Sequence, residues 1–147
     1  MDQIEQVDIL LVEDNPMDAE LTMHGLQQEK LANSIIWLKD GEEALDYLFR
    51  RGPYQQRTEV HPRIVILDLK MPKLDGIEVL REMKGSEITR RIPVVMLTSS
   101  QEESDLIKSY DLGVNSYVVK PLNFKSMTEI IRQAGFYWMA VNRCAPY

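Results

Sequence analysis

The feature that most constrains this chain is the repeated alternation of short β-branched or aliphatic runs with segments of helical spacing. The runs are Val7 to Val12, Ile35 to Leu38, Ile64 to Leu67, Pro93 to Thr98 and Ser116 to Val119. Strands that read as continuous apolar runs are buried on both faces, and strands separated by helices pair in parallel. The expectation is an α/β fold with a five-stranded, doubly wound parallel sheet covered by helices on both sides.

Helix boundaries can be read between the runs. Asn15 can cap a first helix with Pro16 in its first turn, running to about Lys30. After Asp40, the spacing Ala44, Leu45, Leu48, Phe49 marks a second helix, stopped by Gly52-Pro53, and a long polar stretch leads to Pro62. Met71 to Gly76 is loop chemistry, and Ile77, Leu80 and Met83 give one face of a third helix. Ser99 and Ser100 can cap a fourth, Glu102 and Glu103 suit its positive end, and Leu106, Ile107 and Tyr110 are expected on its inner face. Asn123 can cap the last helix, where Phe124, Met127, Ile131, Ala134, Trp138 and Val141 keep a near-3.5 spacing to the chain's end. Phe136, Tyr137 and Trp138 are consecutive there and cannot share one helical face, so at least one should be exposed.

Composition narrows the function. A chain of 147 residues suits one domain, with a core over 7–135, a helical extension over 136–147 and no linker to an output domain. No apolar run is long enough for a bilayer and no signal-peptide pattern is present, so a soluble cytoplasmic protein with no membrane contact is expected. A single cysteine, Cys144, excludes a disulfide or cysteine metal site within the chain. The net charge of −6 has the wrong sign for direct nucleic-acid binding.

In an open parallel sheet, ligands bind beyond the carboxyl ends of the strands. Glu13 and Asp14 follow the first strand and Asp68 follows the third, which would crowd three carboxylates at one crevice. Oxygen ligands without a histidine or cysteine suit a hard ion, Mg²⁺. Thr98 and Lys120, at the ends of strands four and five, offer a hydroxyl and an ammonium for phosphoryl oxygens. A carboxylate with those partners can attack phosphorus, so the set reads as an aspartyl-phosphate site. His24 and His61 have no partners at ligand spacing.

From Val7 to the last helix the chain resembles the receiver domains of bacterial response regulators. The resemblance rests on Leu-Val-Glu13-Asp14, Leu-Asp68-Leu-Lys-Met-Pro72, Asp75-Gly76, Leu-Thr98-Ser and Val-Lys120-Pro121. It implies a flavodoxin-like sheet in the order 2-1-3-4-5 and phosphorylation of Asp68. It also implies Mg²⁺ held by Glu13, Asp14, Asp68 and the backbone carbonyl of Lys70. Lys120 would contact the phosphoryl group, Thr98 would rotate towards it, Tyr117 would be the aromatic switch, and the Lys120–Pro121 bond is expected to be cis. Two positions depart from the pattern. Ser99 stands where a small residue such as alanine is common, and Lys70 places a long cation two residues after the acceptor.

The long segment after Phe49 and the aromatic C-terminal helix look like the stand-alone regulators that pair with phytochrome-type sensor histidine kinases. The function implied is phosphoryl relay from such a kinase, with output through protein binding. An exposed C-terminal aromatic also suggests a homodimer, expected through the region of helix 4, strand 5 and helix 5. One rival is a phosphohydrolase, an enzyme that would need an acid where Lys70 stands. The other is a degenerate receiver acting as a scaffold, against which the intact acidic set argues.

Overall fold

The computed structural model describes residues 7–28, 32, 34–58, 61–143 and 145. In chain order the elements are β1 (Ile9–Val12), α1 (Pro16–Gln28), β2 (Ile35–Leu38), α2 (Gly41–Leu48), β3 (Ile64–Leu67), α3 (Gly76–Lys84), β4 (Val94–Thr98), α4 (Glu103–Asp111), β5 (Ser116–Val119) and α5 (Phe124–Phe136). The strands form one parallel sheet ordered β2-β1-β3-β4-β5, as expected. The first strand lies between β2 and β3, so its carboxyl end adjoins that of β3, which is what the acidic set requires.

Side chains alternate across the sheet with the period of two that a pleated strand imposes. Leu10, Val12, Val65, Leu67, Val94 and Met96 pack with α2 and α3 on one face. Ile9, Leu11, Ile64, Ile66, Val95 and Leu97 pack with α1, α5 and Trp138 on the other. The three central strands are wholly buried, which is why they read as unbroken apolar runs. Side-chain caps begin four helices. Asn15 Oδ1 accepts from Met17 N at 2.9 Å, Asp40 Oδ1 from Glu43 N at 2.8 Å, Asp75 Oδ1 from Glu78 N at 3.0 Å and Asn123 Oδ1 from Ser126 N at 2.8 Å. The polar stretch before β3 is fastened to α2. Arg57 Nε donates to Tyr47 O at 2.9 Å with its guanidinium 4.2 Å from the Tyr47 ring, and Tyr54 donates to Glu43 Oε1 at 2.8 Å.

Helix α1 is described to Gln28, and Lys30 lies outside the described residues, as does Cys144. Several other expectations are corrected. Helix α4 starts at Glu103, later than a Ser99 or Ser100 cap would place it: the Ser100 hydroxyl accepts from Glu102 N at 3.3 Å in the turn before the helix and donates to Asp105 Oδ2 at 2.6 Å. Its inner face is Asp105 and Ser109, while Leu106, Ile107 and Tyr110 are 38%, 52% and 53% exposed. A polar network draws Asp105 inward and thereby turns the apolar stripe to solvent. Phe124 and Val141 are exposed as well, whereas Met127, Ile131 and Trp138 keep to the core.

After α5 the helix continues as a π-helical turn over Tyr137–Val141, closed by Asn142 N donating to Tyr137 O at 2.6 Å. The wider turn lets the neighbours Trp138 and Met139 both reach the core while Phe136 and Tyr137 stay exposed, so the expected outward aromatics are found. The Lys120–Pro121 bond is trans, against the cis expectation. Trans is the lower-energy isomer by about 0.5–1 kcal/mol, and Lys120 N meanwhile extends the ladder by donating to Thr98 O at 2.7 Å. No helix among the described residues is long and apolar enough to cross a membrane.

Candidate functional site

Each acidic residue owes its place to a strand end. The backbone N–H of Glu13 donates to Leu38 O and that of Asp68 to Val12 O, both at 3.0 Å, so ladder bonds of adjoining strands hold both residues over the crevice. Trp37 on β2 adds a further tie through Nε1, which donates to Glu13 O at 2.8 Å. Glu13 and Asp68 are buried, while Asp14 is exposed. One carboxylate oxygen from each lies within 4.8 Å of the others. An octahedral Mg²⁺ site with bonds of 2.1 Å needs ligand oxygens about 3.0 Å apart when adjacent and about 4.2 Å apart when opposite. The three oxygens are gathered on about that scale, so small side-chain adjustments would bring them onto one ion, and the exposed Asp14 side leaves room for the waters that this ion retains.

The β3–α3 loop closes over the acceptor because position 76 is glycine. A Cβ on Gly76 would lie 2.2 Å from the Asp68 carbonyl oxygen, and Gly76 N donates to Leu69 O at 2.8 Å. Any larger residue would force the loop off Asp68. This is the physical content of the Asp75-Gly76 pair: the first caps α3 and the second admits the strand end.

Lys120, at the end of β5, crosses the crevice. Its Nζ donates to Glu13 Oε1 at 2.5 Å, Asp18 Oδ2 at 3.0 Å and Asp68 Oδ2 at 3.3 Å. Burial alone would favour the neutral amine, but the bond to Glu13 and the charges of Asp68 and Glu13 outweigh it and raise the lysine's pKa, so it stays an ammonium. Glu13 shows the opposite balance. Burial, then its hydrogen bond with Asp68, pushes its carboxyl from 4.5 up to about 8, and Lys120 opposes only part of that rise. The site therefore favours an added positive charge, from a proton or from a metal ion.

The remaining expected residues form a second network. Thr98 is fully buried at the end of β4, and its hydroxyl accepts from Ser100 N at 3.2 Å. Tyr117 on β5 donates to Ser100 O at 3.1 Å, so Thr98 and Tyr117 grip the same residue from two sides. Lys70 Nζ lies 3.6 Å from Asp105 Oδ2, and its side chain is largely exposed.

Sequence reasoning missed Asp18, Trp37, Ser100 and Asp105. Asp18 had a usable signal, since it lies four residues after Asp14 at the start of α1, where the chain turns back over the strand end. Asp105 carried a misleading one, as an acid in a first helical turn ordinarily faces solvent.

The description "Response regulator receiver domain" matches residues 9–132. Response regulator Rcp1 of Synechocystis sp. (strain PCC 6803) is 39% identical over 131 residues, which is 89% of this chain and 88% of that protein. The Mn²⁺-bound form of Rcp1 superposes with a TM-score of 0.89, at 36% identity over 95% of this chain and 99% of that one. The phosphorylated cyanobacterial phytochrome response regulator RcpA gives a TM-score of 0.89, at 35% identity over 97% of this chain and 100% of that one. The bacteriophytochrome response regulator AtBRR gives 0.76, at 49% identity over 97% and 98%.

Proposed function

The chain belongs to the response regulator receiver domain family, and on that premise we propose that it is a phosphoacceptor of a sensor histidine kinase of the phytochrome type. In this reading Asp68 takes the phosphoryl group with Mg²⁺ as cofactor, and the cytoplasmic protein signals through altered protein binding. The observation that carries the reading is the buried Lys120 ammonium reaching Asp68 and Glu13 beside the three-carboxylate cluster.

Glu13, Asp14, Asp68 and the backbone carbonyl of Lys70 would hold Mg²⁺, which supplies neutralisation of the charge that builds on the transferred group. An Asp68 carboxylate oxygen attacks phosphorus. The P–N bond to the donor histidine breaks and its electron pair stays on that ring nitrogen, so a ring that already carries a proton on its other nitrogen leaves as neutral imidazole. Lys120 donates to a phosphoryl oxygen, and the Thr98 hydroxyl donates to another after rotating off Ser100. That rotation frees Ser100 N, and a shift of residue 100 alters the acceptor of the Tyr117 hydroxyl, so Tyr117 and the adjoining surface repack.

The output surface is the region of α4, β5 and α5. Leu106, Ile107, Tyr110, Leu122 and Phe124 are all exposed there, an apolar area that supports association with a second copy of the chain or with a partner. The acidic chain and the clear acidic crevice give nucleic acid no role.

The test is phosphate incorporation from acetyl phosphate or a phosphorylated kinase, followed by intact mass spectrometry. A gain of one phosphoryl group that requires Mg²⁺ and is lost in Asp68→Asn is the expected result. Folded wild type that gains none would overturn the reading.

A further inference from the structure

An ammonium has three N–H donors, and Lys120 has spent all three, on Glu13, Asp18 and Asp68. A phosphoryl oxygen arriving on Asp68 must compete with these carboxylates for the ammonium. The bond to Asp68 can pass to a phosphoryl oxygen on the same residue, and Glu13, only 3% exposed, holds the ammonium from inside the crevice, which leaves Asp18 as the partner that competes with the incoming group. The Asp18 side chain is 31% exposed and can exchange the ammonium for water. Asp18 is also held in place independently of the lysine, because Asp18 N donates to the Asn15 Oδ1 cap at 3.2 Å and α1 continues beyond it.

We propose that Asp18 is a positioning residue: it competes with the phosphoryl group for the Lys120 ammonium, so it sets how readily Asp68 accepts and keeps that group. The inference rests on the phosphoacceptor reading of Asp68 and concerns the one carboxylate of the lysine's shell that neither the acceptor nor the metal cluster includes. Its consequence has a definite sign. Removing Asp18 frees a donor in advance and favours the phosphorylated form, whereas removing a carboxylate that supported phosphoryl binding would disfavour it.

The experiment is calorimetric titration of the protein with beryllofluoride, an analogue of the phosphoryl group on Asp68, at saturating Mg²⁺ so that metal affinity does not enter. Asp18→Ala is expected to bind about three- to fivefold more tightly than wild type, the scale of one partly exposed charged pair. Asp18→Asn should shift the same way by less, and serves if the alanine loosens the first turn of α1. Asp18→Glu, which keeps a reaching carboxylate, should return affinity close to wild type. Glu20→Gln removes the same charge from an exposed site on α1 and should leave affinity unchanged.

Unchanged or weaker binding in Asp18→Ala, with wild type binding normally, overturns the role of Asp18 and leaves the phosphoacceptor reading intact. Equal tightening in Glu20→Gln also overturns it, since general charge repulsion would then suffice. Wild type that binds no beryllofluoride removes both the phosphoacceptor reading and this one.

Discussion

Glu13 carries the sharpest consequence at the scale of single residues. Its carboxyl is raised from 4.5 to about 8 by burial first and by Asp68 second. Between those values the folded chain holds a proton that the unfolded chain has released. The contribution of this group to stability is therefore present at low pH and lost as pH rises through about 8. Melting followed by circular dichroism in EDTA should fall between pH 6 and 8.5, and Glu13→Gln should flatten that fall. Mg²⁺ competes with the proton for the same carboxylates, so the thermal gain on adding it should be larger at pH 8.5 than at pH 6. An equal gain at both values would show that Glu13 is not the titrating ligand. Trp37, bonded through Nε1 to Glu13 O, is placed to report metal binding: Mg²⁺ should change tryptophan emission in wild type and much less in Trp37→Phe.

Among the elements, the β3–α3 loop and α4 show how far a local rule reaches. The loop depends on the missing side chain at Gly76, whose Cβ would press the Asp68 carbonyl. Gly76→Ala should cost about 1–3 kcal/mol in urea unfolding, the range of an overpacked site. It should also weaken Mg²⁺ binding, because the displaced backbone includes residues 68–70. In α4, an apolar stripe suggests an inward face, but Asp105 occupies that face, tied to Ser100 and facing Lys70. Asp105→Ala should cost about 1–2 kcal/mol by leaving the Ser100 hydroxyl without this acceptor, read again from the urea midpoint.

At the scale of the whole molecule, the same stripe belongs to the face proposed for output. Ile107 and Tyr110 touch solvent, so Ile107→Glu should change unfolding stability by no more than about 0.5 kcal/mol. It should nonetheless reduce the mass measured by light scattering if the α4-β5-α5 face joins two copies. A monomer mass for wild type, with and without beryllofluoride, would dismiss the dimer and leave that face to another partner.

The sequence by itself determined the sheet, because β1, β3 and β4 are buried on both faces and must be apolar at every position. It also determined that the acids and the lysine stand at the strand ends, because the strand boundary defines those positions and the residue type is read directly. It determined as well that consecutive aromatics near the end could not all be buried. Only the tertiary structure decided which way α4 faces, since its apolar residues balance against one buried carboxylate whose partners, Ser100 and Lys70, come from other parts of the chain. Tertiary packing likewise decided the π-helical turn that seats Trp138 beside Met139. It gave Lys120 its third partner too. Asp18 is 102 residues away in sequence, and that pairing exists only because β5 and the start of α1 end at the same edge of the crevice.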